Sequence, residues 1–214
     1  TGITWIRILY LYPDEIASEL ITAMRECEKV LPYVDLPLQH ISADILRAMH
    51  RRGTPEEIRA VIQKFREELD GCIIRTSLIV GFPGETEEEF AVTKEYLKRI
   101  HFYEMHIFQY SKREGTKAAV MEHQVPEPVK KERSNILLAL EKKMSEEFRN
   151  YYVGKEKTAL LEEELVVDGK TYFTGYTKEY VKVAFETEEN MTNQFVTGKI
   201  KGKLKDDIYL LVEF

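Results

Sequence analysis

One stretch constrains the fold of this chain more than any other: an apolar run, Ile73–Val80, followed without a break by Gly81-Phe82-Pro83-Gly84-Glu85-Thr86. Pro83 fixes its own φ, and the two glycines supply conformations that other residues avoid. Thr86 and Glu89 then form a Thr-x-x-Glu capping box, so a helix starts at once. This pattern reads as a buried parallel strand whose carboxyl end opens onto a turn that lets something approach the backbone. In α/β folds, ligands sit at that end of the strands.

The surrounding sequence repeats the same alternation. A strand is expected at Trp5-Ile6-Arg7-Ile8-Leu9-Tyr10-Leu11, then Pro13-Asp14 and a helix to about Glu28. Val34 to Leu38 reads as a second strand ending in Pro37-Leu38-Gln39-His40, and Ser42 caps a short helix through Met49. Thr54-Pro55-Glu56-Glu57 is a capping box with proline at the first helical position. Behind it Ile58, Val61, Ile62, Phe65 and Leu69 share one helical face. After the opening strand, Phe90, Thr93, Leu97 and Ile100 face inward on the next helix, and Glu104 to Tyr110 is a fourth strand. Four strand-then-helix units with short links predict a parallel sheet with right-handed crossovers.

A long helix is expected from Gln124-Val125-Pro126 to about Tyr151, with Ile136, Leu140, Met144, Phe148 and Tyr152 as its apolar stripe. Beyond it, short runs of Val, Tyr, Phe and Thr are separated by Asp168-Gly169, Gly175, Glu188-Glu189-Asn190 and Lys205-Asp206-Asp207. They predict an antiparallel module of about five strands, a small barrel. The expected division is 1–151, an α/β unit with its long helix, and 152–214, the β-module.

Composition narrows the class. At 43% hydrophobic and 32% charged residues the chain is globular, and no apolar run approaches the ~20 residues of a membrane span. The N-terminus carries no signal peptide and no initiator Met, and it begins almost inside a strand, which points to a piece of a longer chain. Cys27 and Cys72 offer neither a disulfide framework nor metal-ligand spacing, so a reducing cytoplasm is expected. The net charge of −6 argues against a general nucleic-acid binder.

Several side chains stand out. Gln39 and His40 end a strand, where a polar loop and helix entry explain them as well as a ligand does. Arg75 lies in an otherwise apolar strand, so it must reach an anion or a carboxylate, as a ligand contact or as a structural ion pair. Tyr110-Ser111 ends another strand. In the β-module, Lys199, Lys201, Lys203 and Lys205 alternate with Ile200, Gly202 and Leu204, which predicts four ammonium groups on one face. That row can track a phosphate backbone while Tyr176 and Tyr180 stack on bases, or it can protect a solvated edge strand. From Tyr152 to Phe214 there are nine Lys, no Arg and twelve Asp or Glu, so any RNA contact is local.

Taken in order, Pro37-Leu38-Gln39-His40, the stretch through Thr86, Tyr110-Ser111 with Gly115-Thr116, Gln124-Val125-Pro126 and Arg133 resemble the radical S-adenosylmethionine methylthiotransferases across essentially the whole chain. The resemblance implies the later strands of a partial (β/α) TIM-like barrel followed by a TRAM β-barrel that engages the substrate macromolecule. It implies reductive cleavage of S-adenosylmethionine at a 4Fe-4S cluster, hydrogen abstraction, and insertion of a methylthio group at a C–H position. The family's Cys-x-x-x-Cys-x-x-Cys loop and the cysteines of its second cluster are absent here. The chain alone is therefore expected to be inactive, with no catalytic residue or metal ligand of its own, and an external electron donor is implied.

By the same resemblance Gln39 contacts the cofactor ribose, and the turn with Gly81, Pro83 and Gly84, together with Tyr110, lines the adenine side. His40, Arg75 and Ser77 have less defined cofactor roles. Lys178, Lys182, Lys199, Lys201 and Lys203 are the substrate or RNA candidates. The front half is similar to the RimO branch, which methylthiolates an aspartate of a small-subunit ribosomal protein. The rear half, with Tyr176-Thr177-Lys178-Glu179-Tyr180-Val181-Lys182-Val183, is similar to the MtaB branch, which modifies threonylcarbamoyl-adenosine beside the tRNA anticodon. The expectation leans to the tRNA anticodon stem-loop, with the ribosomal protein as the alternative and a monomer as the assembly. Two further readings are a non-catalytic RNA- or substrate-binding piece and an unrelated α/β barrel piece.

Overall fold

A computed structural model describes residues 2–213, and the chain divides into two compact units, one up to Ser145 and one from Glu146 onward. This division falls earlier than the expected one at 151, because Phe148 and Tyr152 near the end of the long helix pack into the core of the second unit. No helix among the described residues is long and apolar enough to cross a membrane.

The first unit is a four-stranded parallel sheet in the order β1-β2-β3-β4, formed by Ile6–Ile8, Val30–Asp35, Ile73–Val80 and Glu104–Gln109. Its helices are α1 (Ser18–Glu26), α2 (Ala43–Ala48), α3 (Pro55–Glu68), α4 (Glu87–Ile100) and most of α5 (Glu127–Tyr151). β2 starts at Val30 rather than Val34. Pro32 lies where the β1–β2 register is irregular, and a ladder interruption tolerates its missing N–H. β3 alternates strictly: Ile74, Thr76, Leu78 and Val80 are buried against the helices, while Arg75, Ser77 and Ile79 look to the other face. Both capping boxes form, Thr54 with Glu57 and Thr86 with Glu89, and α4 buries Phe90, Thr93, Leu97 and Ile100.

α5 departs from its expected stripe. It buries Lys130, Arg133, Leu137 and Met144, while Ile136 is 37% exposed. Positions four apart advance about 40° per step around a helix of 3.6 residues per turn, so an every-fourth series drifts off one face. Lys130 and Arg133 take the inner positions because they bond the turns at the strand ends, as described below.

The second unit is a closed barrel of five strands, ordered β5-β6-β7-β9-β8 and formed by Glu156–Val167, Lys170–Thr177, Lys182–Glu186, Ile208–Val212 and Gln194–Lys205 respectively. Its interior holds Ala159, Leu161, Phe173, Val181, Val183, Val196, Ile200, Tyr209 and Leu211. Three sequence expectations change here. The module is not wholly antiparallel, since β7 and β9 pair in parallel and thereby close the barrel. Gly175 does not separate two strands but sits inside β6 opposite Leu161, where β5 shifts register. The lysine row does not keep a period of two: β8 changes register between Ile200 and Lys203 and again between Lys203 and Lys205. Each such irregularity turns the following side chain, so Lys199, Lys201, Lys203 and Lys205 do not form one regular face. Lys199 is half-buried, and Lys203 approaches Glu146 at 3.7 Å. Tyr176 and Tyr180 stack on each other, centroids 4.3 Å apart, with Lys182 over the Tyr176 ring. Lys178 is exposed in the loop beside them.

Candidate functional site

A pocket of about 290 Å³ opens at the carboxyl ends of the parallel strands. Tyr10, Leu11 and Tyr12 enter it from the segment after β1, and Pro37 and Gln39 from the segment after β2. Arg51 comes from the loop between α2 and α3, Arg75 and Ser77 from β3, and His106 and Phe108 from β4. The walls are mixed: exposed Tyr10, Tyr12 and Phe108 supply apolar surface, and the two guanidinium groups supply charge.

Gln39 is held by main-chain bonds at a cost in backbone strain. Its N–H donates to Ser77 O at 2.8 Å and its carbonyl accepts from Ile79 N–H at 2.7 Å, with φ at +66°. A non-glycine residue at positive φ persists only where its surroundings impose it. The β3 ladder imposes it here, and the Gln39 side-chain amide is left to line the pocket. Arg51 rests on the Tyr12 ring at 5.3 Å and donates to Pro37 O at 3.4 Å, and no carboxylate among the described residues pairs with it.

Arg75 realises the ion-pair reading, in a loose form. Its Nη1 lies 3.5 Å from Asp35 Oδ2 and its Nε 3.8 Å from Glu104 Oε1, while Nη2 reaches the His106 ring. Asp35 is 1% exposed, and burial pushes its carboxyl above the usual range, although Arg75 opposes the shift.

The remaining cofactor candidates gather around the turn after β3, where His40, Gly81 and Pro83 are buried, Tyr110 is half-buried and Gly84 is exposed. Gly81 N–H donates to the Glu85 carboxylate, which is itself buried. Arg133 reaches the same residue twice, 3.0 Å to the Glu85 carbonyl and 3.1 Å to Oε1. Lys130 donates to Tyr110 O at 3.1 Å, and its stem fills the space a Gly81 side chain would need. Tyr110 sets its ring edge-on to Phe82 at 5.2 Å, Pro83 is buried, and Gly84 N–H donates to His123 O at 3.0 Å. His40 is 2% exposed, and its Nδ1 accepts from Ser42 N–H at 2.9 Å. So of the expected cofactor residues Gln39, Arg75 and Ser77 line the pocket, whereas His40, Gly81, Pro83, Gly84 and Tyr110 build the turn system next to it. Tyr10, Tyr12, Arg51, His106 and Phe108 escaped the sequence reading; only the strand-end position of Tyr10 and Tyr12 carried a signal.

Burial lowers the His40 pKa to about 4, so the ring is neutral and its 3.9 Å approach to Glu85 is not an ion pair at neutral pH. The unfolded chain takes up this proton near pH 6.5 and the folded chain only near 4. Stability from His40 is therefore full above 6.5 and lost as pH falls towards 4, by up to about 3 kcal/mol. Glu85, raised by burial above its ordinary 4.5, works in the opposite direction, its contribution being lost as pH rises from 4.5. Thermal unfolding followed by the fluorescence of Trp5 is expected to drop between pH 6.5 and 4, and His40→Asn to flatten that drop.

Iron–sulfur ligation does not fit these residues. Among the described residues no group of three or more His, Cys, Asp or Glu could hold a metal ion. Cys27 is exposed and alone, and burial pushes the Cys72 thiol up to about 12, far from the thiolate a cluster needs.

Comparison with known proteins agrees with this geometry. Residues 3–97 match the family model described as the radical SAM superfamily. A curated Clostridium botulinum protein named ribosomal protein uS12 methylthiotransferase RimO is 38% identical over 97% of this chain and 47% of its own length. A Clostridium perfringens protein of the same name is 46% identical over 75% of this chain and 36% of its own length. The chain thus spans about half the length of the curated relatives it matches. Among solved structures, coproporphyrinogen III oxidase of Escherichia coli, described as a radical SAM enzyme, aligns with a TM-score of 0.55 at 17% identity. That alignment covers 82% of this chain and 46% of the other, and it concerns the fold alone. The parallel sheet, its strand-end pocket and the relatives found along both units agree: the chain carries the radical SAM superfamily match over residues 3–97 and is similar along both units to curated radical SAM methylthiotransferases.

Proposed function

We propose that this chain forms the cofactor pocket and the substrate-docking barrel of a methylthiotransferase whose acceptor is a ribosomal protein. The observation that carries the acceptor is the 38% identity, over 97% of the chain, to a protein named for uS12. That match runs through the barrel as well as the sheet, so the MtaB-like wording of the rear half does not outweigh it. Charge argues the same way. The barrel stretch is net acidic, and its lysines lack the regular row that would follow a phosphate backbone.

Within this reading the strand-end pocket takes S-adenosylmethionine, whose one-electron reductive cleavage by a 4Fe-4S cluster held outside the described residues would supply the hydrogen-abstracting radical and release methionine. Gln39 offers an amide to the ribose hydroxyls, and Arg51, which pairs with no carboxylate among the described residues, meets the carboxylate of the methionine portion. Tyr10, Tyr12 and Phe108 exclude water from the walls. The second unit is a TRAM-type module that docks the acceptor. The described residues hold no cluster ligands, so cluster chemistry is not attributed to them.

Mass spectrometry of uS12 and of tRNA, from a strain lacking the full-length gene and from its parent, tests the acceptor. The expected result is loss of the methylthio mark on uS12 with tRNA marks intact. Loss of a tRNA mark with uS12 unchanged would restore the tRNA reading and remove this one.

A further inference from the structure

We infer that the free edge of β4 takes the acceptor polypeptide as an added, extended strand, which carries the acceptor side chain to the mouth of the strand-end pocket. The inference rests on the proposed ribosomal-protein acceptor.

β4 is the last strand of its sheet, and no strand among the described residues pairs with its other side. The hydrogen bonds of β3 set which groups of β4 face outward. Leu36 N–H donates to Arg75 O at 2.9 Å and Gln39 N–H to Ser77 O at 2.8 Å, while Ile79 N–H donates to Gln39 O at 2.7 Å. The odd residues of β3 thus serve the β2 side, and the even ones serve β4. Tyr110 N–H, just past the end of β4, donates to Val80 O at 2.9 Å. In a parallel ladder each bonding residue stands opposite a non-bonding one, and Ser77 is level with His106 and Ile79 with Phe108. The main chains of Glu104, His106 and Phe108 therefore bond β3, and the N–H and C=O groups of Met105, Ile107 and Gln109 face the open edge. Among the described residues no main-chain bond outside the ladder reaches these three.

The two edges of the sheet differ in how they resist pairing. β1 has three residues, a register irregularity against β2 and Arg7 at its centre, all features that discourage an added strand. β4 pairs regularly over six residues and contains neither lysine nor proline, and its one charge, Glu104, is tied to His106 at 2.8 Å. Such an edge is a template for another strand.

The surroundings of the edge fit a peptide segment. Its outward donors and acceptors recur every second residue, ~6.6 Å apart, which is the repeat of an extended polypeptide. Met105 and Ile107 pack into the core, whereas His106 and Phe108 line the pocket, with Phe108 52% exposed. A chain added ~4.8 Å from β4 turns every second side chain to the same side as His106 and Phe108, so one of them stands at the pocket mouth.

The test titrates a short uS12 peptide containing the acceptor aspartate into the whole chain with S-adenosylhomocysteine present. Residue-resolved hydrogen exchange is expected to slow about tenfold at Met105, Ile107 and Gln109 when free peptide stands tenfold above its Kd, with little change at His106 and Phe108. Methylating the peptide's backbone nitrogens one at a time is expected to weaken binding roughly fivefold or more at alternate positions only. Gln109→Pro removes an edge N–H but no bond to β3, and is expected to weaken the peptide by a similar factor while Gln109→Ala does not. Unchanged S-adenosylhomocysteine binding in both variants shows that the pocket is retained. Exchange and methylation are read on wild type, so they decide even if Gln109→Pro does not fold. No peptide binding, binding without protection of these three amides, or methyl effects without alternation overturns the inference. So does protection that needs no peptide and grows with protein concentration, the mark of pairing between two copies. The acceptor reading is judged separately by the loss of the uS12 mark: with that mark lost, these results remove the docking mode alone, whereas loss of a tRNA mark instead removes the reading beneath it.

Discussion

Replacing Gly175 with alanine is expected to destabilise the barrel by roughly 3 kcal/mol or more, although glycine-to-alanine changes inside strands ordinarily stabilise. A Cβ at Gly175 would lie 1.8 Å from Leu160 O and 2.7 Å from Leu161 Cα. Both are backbone atoms of β5, at the point where its register against β6 shifts, so no side chain can swing aside. The strands would have to separate, breaking the ladder that also carries Leu161 and Val183 in the core. Hydrogen exchange is the direct readout: amides of β5 and β6 should lose protection while those of β3 and α4 keep theirs. Gly169, in the two-residue turn between β5 and β6, is the control. Its φ is +79° but nothing lies within 4 Å, so alanine there should cost only about 1–2 kcal/mol. Unchanged protection in Gly175→Ala would mean that β5 and β6 are not so closely apposed.

The second large effect is expected at Arg133. Its guanidinium bonds the Glu85 carbonyl, pairs with the Glu85 carboxylate at 3.1 Å, approaches Glu87 at 3.3 Å and covers the Phe90 ring at 5.3 Å. The Glu85 side chain has no exposure, so removing Arg133 leaves a buried carboxylate with the Gly81 N–H but no cation. Breaking one side of a buried pair costs about 3–5 kcal/mol, far more than the pair contributes as a net gain. Arg133→Met, which keeps the stem packing, should therefore lower the unfolding free energy of the first unit, read from its urea midpoint and slope, by most of that amount. The only tryptophan, Trp5, lies in this unit and reports its unfolding. Adding Glu85→Gln should recover much of the loss, because it removes the stranded charge. Failure of the double variant to recover would shift the explanation from charge to packing over Phe90.

Much of the fold was legible because it is written in local terms. The α4 face follows from a 3.6-residue period, and both capping boxes follow from Thr-x-x-Glu spacing. The Asp168-Gly169 turn follows from the left-handed φ values that such a two-residue link requires. The site was only half legible. Gln39 and the turn after β3 are announced by their own neighbours in sequence. Arg51, His106 and Phe108 belong to the pocket only because parallel strands bring distant loops to one end. Lys130 and Arg133 were hidden for another reason: charged residues on a helix read as solvated, yet here they are buried by the turns they bond. The barrel's parallel β7–β9 pair and the irregular β8 depend on closure, which no single strand specifies.

The pocket reading has a direct test in calorimetric titration of S-adenosylhomocysteine into the chain. One molecule should bind per chain, and Arg51→Met should weaken the affinity by roughly tenfold or more, as expected for loss of a charge-assisted contact to a carboxylate. No binding, or equal binding by wild type and Arg51→Met, would contradict a cofactor pocket built from these strand ends.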